Sequence, residues 1–179
     1  MSAFIPQDDL LLSTMTVREC IQFTASLRMP TSMPQSEKDD IVEQIISELS
    51  LEGVAHSLIG DSNQRGISGG ERKRVCIGME LVHSPQFIFL DEPLSGLDSY
   101  TAFRVLQTLK RLVAKGRTII LSIHQPSSKC FFALNSILLL ANGHVTFHGP
   151  PQMATEYFSL AGFPCPKVRS AFRVHDIHF

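Results

Sequence analysis

At 179 residues, 44% of them apolar and 18% charged, the chain has the make-up of one globular domain with an ordinary core, not of a disordered polymer. Its formal charge of −1 excludes a global basic field for nucleic acid or an anionic membrane surface. The apolar runs fall far short of the roughly 20 residues that cross a bilayer, and no signal-like segment is read at the start. Cys20, Cys76, Cys130 and Cys165 are widely spaced with no C-x-x-C pair, and are read as reduced thiols.

In chain order, residues 2–5 read as a short, partly apolar strand, and Gln7-Asp8-Asp9 follows as a polar loop. Thr16-Val17-Arg18-Glu19 has the spacing of a capping box, which predicts a helix to about Met29, broken by Pro30 and Pro34. From Ser36 a second helix aligns Ile41, Val42, Ile45, Ile46 and Leu49 on one face, with its acids and Lys38 turned to water. After a loop over 60–66, Ser68-Gly69-Gly70 leads into a third helix over about 71–82. Residues 87–90 are continuously apolar and bounded by turn residues, which predicts a parallel strand buried on both faces. A helix over 99–115 is capped by Asp98 and stopped by Gly116, and 118–123 is expected to be a second buried strand ending at His124. Residues 137–140 and 145–147 read as strands joined through Asn142-Gly143, a favoured hairpin turn. Pro151 begins a last helix with Gly162 just past its end, while 167–179 lacks a period and is expected to be loosely ordered. Strands alternating with helices give an α/β class with a mostly parallel sheet, and the helical stretch from 16 to about 82 reads as an insertion.

Asp91 and Glu92 leave the end of an apolar strand, where open α/β sheets bind ligands. One acid there can hold Mg²⁺ and its neighbour can take a proton from water; a solvated turn has the same composition. Ser68-Gly69-Gly70 is either a plain helix cap or a phosphate cradle, since a helix N-terminus aims free N–H groups and a positive dipole end at an anion. The basic triplet Arg72, Lys73 and Arg74 reads first as a solvated helix face. His124 follows the second strand as Asp91 follows the first, and is either a strand-end cap or a donor to a terminal phosphate. Gln7 alone is an ordinary exposed loop residue. No Gly-x-x-x-x-Gly-Lys-[Ser/Thr] occurs in the 179 residues, because no glycine is followed by lysine.

Taken together, these residues resemble the nucleotide-binding domain of an ATP-binding cassette (ABC) transporter, most closely the G-type (ABCG) subfamily. Ile67-Ser68-Gly69-Gly70-Glu71 resembles the cassette signature, residues 87–92 the Walker B strand, and Ser95-Gly96-Leu97-Asp98 the D-loop. Gln7 falls at the Q-loop and His124 at the switch histidine. The extensions Gly70-Glu71-Arg72-Lys73-Arg74 and Ile123-His124-Gln125-Pro126-Ser127-Ser128, with Phe147-His148-Gly149-Pro150 and Gly162-Phe163-Pro164-Cys165-Pro166, give it the G-type look. Leu94 stands where the family usually has threonine.

The resemblance implies a partial ABC-type P-loop NTPase domain over 1–166, with an inserted helical signature subdomain over about 16–82 and a divergent tail over 167–179. It implies two ATP molecules sandwiched in a head-to-tail dimer with a second nucleotide-binding domain. Ser68, Gly69, Gly70 and Glu71 would face the ATP of that second domain. Asp91 and Gln7 would attend Mg²⁺, Glu92, His124 and Gln7 would serve catalysis, and Asp98 would couple the two sites. The parent would be an ATP hydrolase on the cytoplasmic face of a membrane, driving export of lipid-like or other hydrophobic compounds through transmembrane helices that the Gln7 loop contacts. Nucleic acid is not an expected partner. Without a phosphate-loop lysine these residues are expected to be inactive alone, and a start at an internal methionine is the expected origin of Met1. Loss of the phosphate-loop strand would also expose strand edges and apolar faces around Phe87 and Thr118. The alternative from a different class is a non-catalytic regulatory module that lends its signature to a partner domain. A DNA-maintenance ATPase of the same superfamily would show long heptad arms, and none is present. The transported substrate is not encoded in these residues.

Overall fold

Strands β1 (Ser2–Ile5), β2 (Phe87–Leu90) and β3 (Thr118–Leu121) pair in parallel, in the order β1-β2-β3, in the computed structural model, which describes residues 1–61 and 64–163. Their register aligns Ile5, Leu90 and Leu121, so all three strands finish together at one edge. The chain forms two compact units, Met1–Ile123 and a second from His124 onward.

Between β1 and β2 come helices α1 (Val17–Arg28), α2 (Gln35–Glu48) and α3 (Gly69–Leu81); α4 (Ser99–Ala114) connects β2 to β3. The predicted capping box opens α1, with Glu19 N–H donating to Thr16 Oγ1 at 3.3 Å and Thr16 N–H to the Glu19 carboxylate at 2.8 Å. Gly78 lies inside α3, where glycine costs about 1 kcal/mol relative to alanine. Its use is packing: a Cβ there would stand 3.0 Å from Leu49 Cδ1 and 3.1 Å from Ile21 Cδ1, so α1, α2 and α3 converge on its bare backbone.

The expected burial of β2 on both faces is not observed. Helices α3 and α4 pack on one face of the sheet and bury Ala3, Ile5, Ile88 and Leu90. Phe4, Phe87, Phe89 and Ile120 on the other face are 39–61% exposed. An apolar run therefore became a one-sided strand, with the exposure around Phe87 and Thr118 that the family resemblance implied. Strand β3 also ends at Leu121, two residues early. Lys38 does not face water as expected: it precedes Val42 by one helical turn, shares its inward face and is 7% exposed.

Glu48 fastens the end of α2 to the end of α4 and the start of β3. Its oxygens take Lys115 Nζ at 2.8 Å and Arg117 Nη1 at 3.3 Å. Burial opposes its ionisation, but Lys115, Gln44 and Arg117 outweigh burial and hold the carboxyl below its ordinary value. A depressed folded-state pKa contributes stability above the unfolded value, and that contribution is lost as pH falls through the folded one. Thermal melts from about pH 7 down to about pH 3 should therefore show a falling midpoint, with a shallower fall in Glu48→Gln. An identical slope in the two proteins would remove Glu48 from the account.

In the second unit, β4 (Ile137–Ala141) and β5 (His144–Gly149) form the predicted antiparallel hairpin. Asn142 and Gly143 turn it with φ of 50° and 77°, the left-handed pair that this tight turn needs. A register irregularity at Leu139/Leu140 was not expected. Short α5 (Ser128–Phe131) and α6 (Pro151–Leu160) complete a core of Phe131, Ile137, Phe147, Ala154 and Phe158. Cys20, Cys76 and Cys130 are free thiols; Cys165 and the expectation for 167–179 lie outside the described residues.

Candidate functional site

Asp91 and Glu92 leave the C-terminal end of β2, at the edge where β1 and β3 also finish. Asp91 N–H donates to Ile5 O at 2.9 Å and Ser122 N–H to Leu90 O at 3.0 Å, so the pairing runs on past the strands themselves. Ser122 then links both acids: its hydroxyl donates to Asp91 Oδ1 at 2.6 Å and accepts Glu92 N–H at 2.9 Å. Glu92 has φ of 44°, a conformation that L residues rarely adopt, and Ser122 is one of the groups that hold it there. Gln7 sits two residues beyond β1 on the same edge and is exposed. A parallel sheet thus brings Gln7, Asp91 and Glu92 to one rim, where an open α/β sheet takes its ligands.

The second half is the turn into α3. Ser68 caps the helix through a complete capping box: Glu71 N–H donates to Ser68 Oγ at 3.4 Å, and Glu71 Oε2 accepts Ser68 N–H at 2.8 Å and the Ser68 hydroxyl at 2.7 Å. The hydroxyl hydrogen is therefore committed to Glu71. The turn carries the first N–H groups of the helix and the positive end of its dipole; Gly69 is exposed there, while Gly70 is buried. Both glycines lie against the next helix start: a Cβ on Gly70 would stand 2.3 Å from Thr101 Cγ2, and one on Gly69 would stand 3.1 Å from Leu97 Cδ2. Asp98 caps α4 by accepting Tyr100 N–H and Thr101 N–H, each at 3.0 Å. Hydrogen bonds from Thr101, first from its side chain, hold the Asp98 carboxyl below its ordinary value.

His124 opens the second unit and is exposed, next to Gln125 with φ of 45°. The basic triplet departs from its expected solvated face. Arg72 is half-buried, with Nε 3.5 Å from Ile67 O, while Lys73 and Arg74 are 5% and 6% exposed. Sequence reasoning missed Ser122 and the anchoring of Lys73 described below. No sequence signal marks Ser122: its place beside Asp91 follows from the parallel register of β2 and β3. The chemistry at the rim fits Mg²⁺: exposed Asp91 is a hard oxygen donor, and Mg²⁺ takes one or two carboxylates with substrate phosphates and water. Among the described residues no three His, Cys, Asp or Glu side chains gather in a cluster that could hold a metal ion by themselves.

The ABC transporter family model matches residues 2–95. The chain is 54% identical over 164 residues to the broad substrate specificity ATP-binding cassette transporter ABCG2 of Mus musculus, across 92% of this chain and 25% of that one. It is 45% identical over 169 residues to ABC transporter G family member 13 of Arabidopsis thaliana, across 94% and 25%. In structure it is similar to cbiO1 from Clostridium perfringens, part of the ABC transporter complex cbiONQ, with a TM-score of 0.71 at 23% identity over 86% of this chain and 58% of that one. The last likeness shows the fold alone. The chain spans about a quarter of the length of the curated relatives it matches. No helix among the described residues is long and apolar enough to cross a membrane.

Proposed function

Because this chain belongs to the ABC transporter family, with G-type relatives over most of its length, we propose that residues 1–166 serve as an ATP-handling domain of a G-type exporter of lipid-like or other hydrophobic compounds. The observation that carries this reading is the pairing of a Ser68-capped glycine turn with an acid pair at the rim of a parallel sheet in one unit. In this reading Gly69 and Gly70 present N–H groups to the terminal phosphate of an ATP held by a second, head-to-tail domain, with Ser68 and Glu71 fixing the turn. On its own rim, Asp91 and Gln7 would hold Mg²⁺, Glu92 takes the proton of the attacking water, and Gln7 positions that water; His124 keeps the switch-histidine role that the family resemblance implies. Bound Mg²⁺ supplies charge neutralisation between the phosphates. Asp98, whose carboxylate fixes the start of α4 beside the glycine turn, couples the two sites.

An apolar groove supports a transmembrane partner at the cytoplasmic face. Leu10, Leu12, Phe23 and Leu27 line it and are 49–78% exposed, with Arg28 of α1 and Met79 of α3 also lining it. Leu10 and Leu12 continue from the Gln7 loop, so a helix seated there would feel that loop move. In a second reading these residues act as a regulatory module that donates Ser68 to Glu71, a turn held by its complete capping box, to a partner with its own phosphate loop.

The common core of both readings is tested by capturing the purified chain on the mouse ABCG2 transporter with and without Mg·ATP. Retention should require ATP and fall at least about tenfold in Gly69→Asp, which sets a like charge against phosphate. An aspartate in the first turn suits the helix dipole, so the melting temperature should hold. Equal retention of both proteins, or none with ATP, contradicts the reading.

A further inference from the structure

Lys73 lies one turn into α3, the helix whose first residues are Gly69 and Gly70, yet its ammonium is spent on the loop after β1. Nζ is 2.6 Å from Asp9 Oδ1 and donates to the backbone carbonyl of Gln7 at 2.9 Å. The side chain is 6% exposed and the Asp9 side chain 25%, so the pair is shielded from solvent, and a charge-assisted bond there is stronger than on an open surface. Asp9 is held a second time from the same helix, because Cys76 Sγ approaches its Oδ1 at 3.5 Å. Burial first, and then the Asp9 charge, push the Cys76 thiol up, so it stays protonated and donates. Two side chains three residues apart on α3 therefore grip Asp9, and one of them also grips the Gln7 backbone.

We propose that Lys73 is a positioning residue that ties the Gln7 loop to the signature helix, so that a displacement of α3 at its glycine turn moves Gln7 at the sheet rim. The proposal deepens the ATP-site reading above and rests on it. The physical reason is stiffness: a helix turn, a buried ammonium and a backbone carbonyl form a short connection with few free torsions. Without Lys73, Asp9 keeps only a weak thiol donor, the Gln7 carbonyl loses its cation, and the loop and the helix move independently.

The test uses the complete protein that carries these residues, as wild type, Lys73→Met and Lys73→Arg. Hydrogen exchange is read over residues 6–12 and 74–82 alongside ATP turnover. Lys73→Met should exchange at least about tenfold faster at Leu11, whose N–H donates to Asp9 O at 3.0 Å, with protection over 74–82 unchanged. Its kcat should fall about tenfold or more while KM for ATP holds, because a misplaced group costs rate rather than nucleotide contact. Lys73→Arg, which keeps charge and donors, should recover most of both. Active wild type with unchanged exchange at Leu11 in Lys73→Met overturns the proposal. So does an equal loss of protection over 74–82, the mark of a mere support for the fold. A wild type that fails to turn over ATP contradicts the ATP-site reading instead, and exchange at Leu11 still decides whether Lys73 holds the loop.

Discussion

Gly66→Ala should destabilise the chain by about 3 kcal/mol or more, a large share of the roughly 5–15 kcal/mol that holds a domain folded. A Cβ at Gly66 would stand 2.0 Å from Ile59 O and 2.4 Å from Ile59 C, both backbone atoms that no side-chain rotation can clear. The same approach is closed from the other side, where a Cβ on Gly60 would meet the Gly66 Cα at 2.6 Å. These contacts, with Ile67 N–H donating to Ile59 O at 3.3 Å, set the position from which the chain enters the Ser68 turn. The loss is read from the denaturant midpoint. Gly53→Ala is the matched control, because a Cβ there meets nothing within 4 Å. Equal midpoints for the two variants would mean that the close approach does not govern the turn.

The largest effect on activity is expected from Glu92→Gln in any protein that joins these residues to a phosphate loop. Turnover should fall by about 100-fold or more, the scale of a lost general base, while ATP binding persists. Glutamine keeps the shape of the side chain and the backbone N–H that Ser122 accepts, so the rim should keep its geometry. A steady-state ATPase assay beside a nucleotide-binding isotherm separates the two quantities. Undiminished turnover would assign the base to another residue, and joint loss of binding and turnover would make Glu92 a support for the rim.

Much of the local structure was legible because short-range chemistry writes it into neighbouring residues. Thr16 with Glu19 and Ser68 with Glu71 each announce a helix start within four residues, and both capping boxes are complete. Asn142-Gly143 and Gly162 announce left-handed turns in the same way. Long-range facts were not legible. That β2 buries only Ile88 and Leu90 depends on which helices pack on the sheet, not on its own apolar run. Lys73 reads as a solvated base until Asp9 and Gln7, more than sixty residues away, are placed against it. Ser122 carries no signal of its own; its link to Asp91 and Glu92 follows from strand register. The positive φ of Glu92 is likewise invisible in an acid that follows a strand.

Photolabelling reads whether the Gly69–Gly70 turn faces the terminal phosphate of an ATP, as proposed. An ATP analogue with a photoreactive group on its γ-phosphate is irradiated with the complete, Mg²⁺-loaded assembly, and the labelled peptides are mapped. Trypsin cuts after Arg65 and Arg72 and releases residues 66–72 as one peptide that holds the whole turn. Label is expected in that peptide, competed by unmodified ATP and lost in Gly69→Asp. Competable label elsewhere in the assembly, with none in residues 66–72, would contradict it.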